Sequence, residues 1–221
     1  MKRTLRILIV VSVVSIVFLG DVFAQEYDIS SGGLPTITGA LGGWVTGNAD
    51  SRSDLTVTIN LGELSPLNVN GIVKVVVPVG IRSTGPYKIE AHVTGSVNAN
   101  IQAIQRSDIG FGVRNLRPLG NQSQVCTNSS HIFYSPFDSD PANIVFINAG
   151  GRAAYPASLG NLSTSTTIMS GPRLSRNNAN RGPNNAWIFD AVFAIVPQFY
   201  ASGSSTATIT FTILPGPNVP C

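Results

Sequence analysis

Three stretches of this chain change between apolar and polar at every residue. Leu55, Val57, Ile59 and Leu61 alternate with Thr56, Thr58 and Asn60. Tyr87, Ile89, Ala91 and Val93 alternate with Lys88, Glu90 and His92, and Ala207, Ile209, Phe211 and Ile213 with Thr208, Thr210 and Thr212. Successive side chains of a strand point to opposite faces, so this period sends one set into a core and the other into water. Threonine suits the wet face because its β-branch packs well on a pleated surface. No stretch carries the helical period, and 22 Gly and 14 Pro punctuate the chain. The pattern predicts an all-β fold, an Ig-like or related antiparallel β-sandwich with little helix. A closed barrel is the lesser alternative.

More continuously apolar runs at Val73–Val79, Ile144–Ile147 and Trp187–Val196 read as central strands covered on both faces. Shorter strands are expected near Thr36–Thr38, Ile101–Ile104, Ile109–Val113, Ile132–Tyr134 and Thr166–Met169. Asn70-Gly71, Thr84-Gly85-Pro86 and Ser202-Gly203-Ser204 read as turns. Three segments read as irregular. Gln25–Gly47 is Gly-rich and is expected to form an extended arm. Asn115–Ser130 is a long polar loop, and Ser170–Asn185 is another, holding Arg173, Arg176 and Arg181. Residues 25–221 are thus expected to form a single β-sandwich domain with its arm at 25–47.

Residues 1–24 read differently. Lys2, Arg3 and Arg6 precede the apolar run Ile7–Leu19, and Val22-Phe23-Ala24 follows it. That is the pattern of a secretory signal peptide cleaved after Ala24. The run is too short for a membrane-spanning helix, so the mature chain is expected to have no span and to be secreted, periplasmic or at the cell surface. The chain has 14 Lys and Arg against 11 Asp and Glu. Three of those cations and Asp21 belong to the leader, which leaves the rest near neutral and argues against nucleic acid as a partner. The two cysteines, Cys126 and Cys221, read in an oxidising compartment as one intramolecular disulfide. Such a bridge would stabilise the fold by about 4–5 kcal/mol, less any strain. Free or intermolecular thiols are the alternative.

Chemistry-bearing residues are few. His92 sits on the wet face of a strand and His131 in a loop, with no nucleophile elbow near either, so a Ser/His hydrolase is not expected. Two histidines also fall short of a usual zinc site. Asp138 and Asp140 form a close acidic pair that reads either as a calcium loop or, more simply, as an Asx-turn. Asp190 lies inside an apolar run. It is either a buried carboxylate that needs partners or a sheet-edge, solvent-facing residue. Trp187 reads as core and Trp44 as exposed. Asn121, Asn128 and Asn161 head Asn-x-Ser sequons. These residues assign no catalytic site, metal or cofactor, and leave the ligand-binding residues unassigned.

The stretch Val196–Ile213, with its Gly turn and closing Thr-rich strand, resembles the last strands of bacterial fimbrial subunits and spore-coat-U-like secreted proteins. The chain departs from the pilin pattern in lacking a penultimate aromatic and in ending at Cys221. The resemblance implies a surface or fibre-forming binding protein. The expected function is a secreted, non-enzymatic adhesion or fimbria-like assembly subunit, whose partners are further copies or other surface proteins. The alternative is an extracellular carbohydrate-binding protein or carbohydrate-active enzyme, with a glycan as partner.

Overall fold

The computed structural model describes residues 27–95, 98–119, 130–174, 186–202 and 204–219. The leader 1–24, both cysteines, Asn121, Asn128, Arg176 and Arg181 lie outside the described residues. Among the described residues thirteen strands run in order: β1 (Tyr27–Ser31), β2 (Thr36–Thr38), β3 (Trp44–Ala49), β4 (Asp54–Asn60), β5 (Val73–Ser83), β6 (Tyr87–Thr94) and β7 (Gly110–Leu119). They continue as β8 (Ile132–Phe133), β9 (Phe146–Ile147), β10 (Ala153–Ala154), β11 (Thr166–Gly171), β12 (Ala186–Ile195) and β13 (Thr206–Pro215). Helical residues are limited to short 3-10 turns, so the chain is all-β, with antiparallel sheets packed as a sandwich.

In the first sheet β1 and β2 both pair with β5, followed by β12 and β7. The second runs β3-β4-β13-β6-β11-β8. The alternating stretches behave as their period requires. Leu55, Val57 and Ile59 are buried while Thr56, Thr58 and Asn60 stay half-exposed, and β6 and β13 follow the same rule. Aromatic rings tie the two sheets together. Phe211 of β13 lies 6.3 Å from Phe111 of β7 and 6.3 Å from Phe189 of β12, centroid to centroid.

All ten residues of β12 are buried, as expected of a strand covered twice. Its inner face meets the core. Its outer face is covered by residues 136–157, which carry the Pro141–Asn143 turn and the β9–β10 hairpin. The cover is tied to the edge of β7, where the Val113 N–H donates to the Phe137 carbonyl at 2.7 Å and the Phe111 N–H to the Ala157 carbonyl at 3.1 Å. It comes so close that a Cβ on Gly112 would stand 1.8 Å from the Ser139 carbonyl oxygen. Glycine at that position is therefore a packing requirement. Tyr155 lies as tightly against Gly110. Its hydroxyl accepts a hydrogen bond from the Val196 N–H at 3.1 Å. Burial pushes the Tyr155 hydroxyl up to about 12, against a smaller lowering by that bond and a further rise from Asp108.

Several expectations need correcting. Ile144–Ile147 is no central strand: only Phe146 and Ile147 pair, in a two-residue strand of the cover, and they are 54% and 60% exposed. A short apolar run looks the same whether it is buried or carried on a projecting hairpin. Val73–Val79 is central in its sheet, yet Lys74, Val76 and Pro78 on its outer face are only half-buried. Ile101–Ile104 is a turn, held by the Asn100 side chain and by Gln105. The loop expected from Asn115 starts later, because β7 runs on to Leu119 with Asn115 in the left-handed region at φ 55°. Within Gln25–Gly47, expected as an arm, the described residues 27–47 are laid into both sheets. β1 and β2 register on β5, β3 registers on β4, and Ile29 is fully buried.

Candidate functional site

Three buried carboxylates, on or around the first sheet and its cover, resolve into ion pairs. Asp140 caps the Pro141–Asn143 turn by accepting from the Ala142 N–H at 3.0 Å, as an Asx-turn would. Its other oxygen meets Lys74 Nζ and Arg114 Nη1, each at 2.5 Å. Asp138, two residues earlier, is exposed. Asp190 is 6% exposed on the outer face of β12, so it is neither an edge nor a solvent-facing residue. Arg117 donates to one of its oxygens at 2.8 Å and the Asn115 amide to the other at 2.7 Å. A third buried carboxylate, Asp108, pairs with Arg152 at 2.5 Å. In each case the partners satisfy a charge that would otherwise be costly to bury. Among the described residues no group of three or more His, Cys, Asp or Glu is arranged to hold a metal.

The histidines part company. His92 is half-buried on the outer face of the second sheet, in register with Thr210. His131 is not an exposed loop residue. Its ring stands 5.0 Å from Trp187 and 6.0 Å from Tyr87, with both ring nitrogens buried. Burial raises the Tyr87 hydroxyl well above its ordinary value. Trp187 is core, and Trp44 is 46% exposed. Asn161 is exposed, yet its side chain accepts from the Ser158 N–H at 2.9 Å.

A different feature emerges on the second sheet. β3 is its terminal strand, and nothing among the described residues pairs with its free edge. Its partner β4 is held in place by Asp54, which accepts from Thr212 at 2.7 Å, Ser51 at 2.7 Å and Ser53 at 2.9 Å. Burial alone would push the Asp54 carboxyl up, but these three bonds together outweigh it and leave it below its ordinary value. Two rows of the outer face beside β3 hold no Asp, Glu, Lys or Arg across four strands, the next row beginning the charges with Asp54 and Glu90. Thr46, Thr58, Thr208 and Thr94 form one row, and Asn48, Thr56, Thr210 and His92 the next. Thr56 and Thr210 hydroxyls meet at 3.1 Å, Thr58 and Thr208 at 3.3 Å.

No match is found to a family model, a curated protein or a solved structure. Function has to come from the geometry of this chain.

Edge strands carry unpaired N–H and C=O groups and are usually shielded. Several other edges among the described residues are. β1 and β2 are short and interrupted by Gly32-Gly33-Leu34-Pro35, β8 has two residues, and the start of β7 is capped by the cover's carbonyls. β3 is six residues long and holds neither a charge nor a proline. The sequence reading passed over it because its inward residues, Val45, Gly47 and Ala49, alternate only weakly with Trp44, Thr46 and Asn48. The signal present was the Trp-Val-Thr run itself, rich in strand formers.

Proposed function

We propose that this chain is a secreted, non-enzymatic protein of a bacterial surface, acting as an adhesion or fimbria-like assembly subunit. The observation that carries the reading is the unshielded edge of β3. An extended segment of another chain can add to such an edge and continue the sheet through main-chain hydrogen bonds. The uncharged rows beside it present no like charge to a newcomer. The likeness of Val196–Ile213 to fimbrial subunits and the leader pattern at 1–24 support the same reading. Cys126 and Cys221 are assigned to one intramolecular disulfide, as an oxidising compartment favours. Non-reducing peptide mapping then returns a single linked peptide, and alkylation of native protein finds no free thiol.

The edge is tested by charge. Thr46 and Asn48 are exposed, so Thr46→Lys with Asn48→Lys leaves the core untouched. In light scattering over a concentration series the wild-type secreted chain forms larger species, and the double variant remains monomeric with an unchanged unfolding curve. A wild type that stays monomeric throughout, or a variant that assembles as well as the wild type, overturns the reading.

A further inference from the structure

Phe199 is 77% exposed, and the structure holds it there. It stands at the apex of a tight turn closed by the Tyr200 N–H donating to the Gln198 carbonyl at 2.9 Å. The turn is fastened on both sides. The Tyr200 hydroxyl donates to the Val196 carbonyl at 3.1 Å, and the Ala201 N–H to the Gln102 carbonyl at 3.0 Å. The Gln198 amide donates to the Gly151 carbonyl at 2.9 Å. Beneath it the Arg152 guanidinium lies 5.3 Å from the centre of the Tyr200 ring. A loop with no task for this residue would let the ring fold back onto apolar surface. This one fastens the backbone on both sides of Phe199 and leaves the ring out in solvent.

Clefts open on both sides of the turn. One, of about 370 Å³, is bounded by Pro66, Gln102, Arg152 and Gln198, and the other, of about 290 Å³, by Glu63, Ser65, Ser202 and Ser205. Phe199 and Tyr200 line both. The larger lies within the roughly 300–1,000 Å³ range of small-molecule sites. The chemistry of the lining narrows the ligand. Arg152 spends its charge on Asp108 and donates to the carbonyls of Ile101 at 2.7 Å and Ala103 at 3.0 Å. It therefore offers little to a phosphate or carboxylate. What remains is an aromatic face flanked by amides, hydroxyls and the Glu63 carboxylate. These are donors and acceptors for a neutral ligand with many hydroxyls. The negative face of an aromatic ring attracts the weakly positive C–H face of a pyranose.

The geometry points to a saccharide subsite built on Phe199, with the ring of Phe199 as its platform and Gln102, Gln198 and Glu63 as its hydrogen-bonding groups. This site lies on the β12–β13 connection and does not depend on the β3 edge, so either can fail without the other. Glycan binding at one end of the sandwich would give an adhesion subunit its target.

The test uses the secreted chain with soluble oligomers of glucose and of N-acetylglucosamine, read by saturation-transfer NMR and repeated in the Thr46→Lys/Asn48→Lys chain. Transfer to the C–H protons of at least one oligomer is expected in both. Phe199→Ala weakens it at least about tenfold without lowering thermal stability, because so exposed a ring contributes little to the core. Phe199→Tyr keeps binding. Absence of transfer to every oligomer, equal binding in Phe199→Ala, or loss as complete in Phe199→Tyr as in Phe199→Ala overturns the assignment.

Discussion

Gly112→Ala is the smallest change that tests how the cover is held on β12. The new methyl would meet the Ser139 carbonyl oxygen at 1.8 Å, and that oxygen must retreat to ordinary contact at 3.4 Å or more. The clashing atom is backbone, so no side-chain rotation relieves the clash. Retreat breaks the bond from the Val113 N–H to the Phe137 carbonyl, worth about 1 kcal/mol. It also pulls Asp140 from Lys74 and Arg114. Breaking a fully buried ion pair costs about 3–5 kcal/mol, but both cations are partly exposed, which reduces the cost to about 2 kcal/mol. Replacing glycine in a strand returns about 0.5–1 kcal/mol. The net expectation is a loss of about 2–2.5 kcal/mol. Urea unfolding measures it, with two-state behaviour checked by coincident probes. A cycle with Asp140→Asn separates the causes. Asp140→Asn should cost about 2 kcal/mol in the wild type and less than about 0.5 kcal/mol once Gly112→Ala has already lifted the cover. A Gly112→Ala chain as stable as the wild type, or an Asp140→Asn cost equal in both backgrounds, refutes the reasoning.

Three further outcomes are expected. Phe211→Ala removes the ring that meets Phe111 and Phe189 across the sheets, and calorimetry should show a loss of about 3–5 kcal/mol. Because burial raises the Tyr155 hydroxyl from 10.0 to about 12, its contribution is complete below pH 10.0 and disappears as pH rises toward about 12. Alkaline unfolding followed by tyrosinate absorbance should therefore be shallower in Tyr155→Phe than in the wild type. Asp54 is lowered, so its contribution is complete above its ordinary value of 3.8 and is lost as pH falls through the folded value. Acid titration of stability should show a weaker decline in Asp54→Ala, which lacks that carboxylate.

The strands that dominate the fold were legible because their environment is uniform along their length. β4, β6 and β13 have one face in the core and one in water, and β12 has the core on one side and the cover on the other. Phe146 and Ile147 could not be placed, since their exposure depends on where the β9–β10 hairpin lands. That in turn depends on Gly110 and Gly112, more than thirty residues earlier. Gly-Phe-Gly inside an apolar run was the available sign of a close backbone approach. Asp190 was visible as an anomaly, but its partners Asn115 and Arg117 lie on another strand, and no local pattern joins them. Phe199 gave no signal at all. An aromatic in a Pro-Gln-Phe-Tyr connection reads the same whether it is packed or presented, and only the fold around its turn distinguishes the two.

The position of β12 and β13 in the sequence also sets when the molecule can fold. β5 and β7 are joined only through β12, with Val77 opposite Ala191 and Phe111 opposite Phe193. β4 and β6 are joined only through β13, with Val57 and Val93 both opposite Ile209. Pairings this distant close slowly, because the chain must give up a great deal of freedom before any contact repays it. A chain threaded through a membrane pore from its first residue would emerge with the middle strand of each sheet still behind it. Until about residue 213 had crossed, the joins that β12 and β13 make would be incomplete, and so the chain would remain loose enough to thread. Shortening from the far end should accordingly act as a switch: a chain ending before β12 would lack the middle of both sheets, however much of the rest remained.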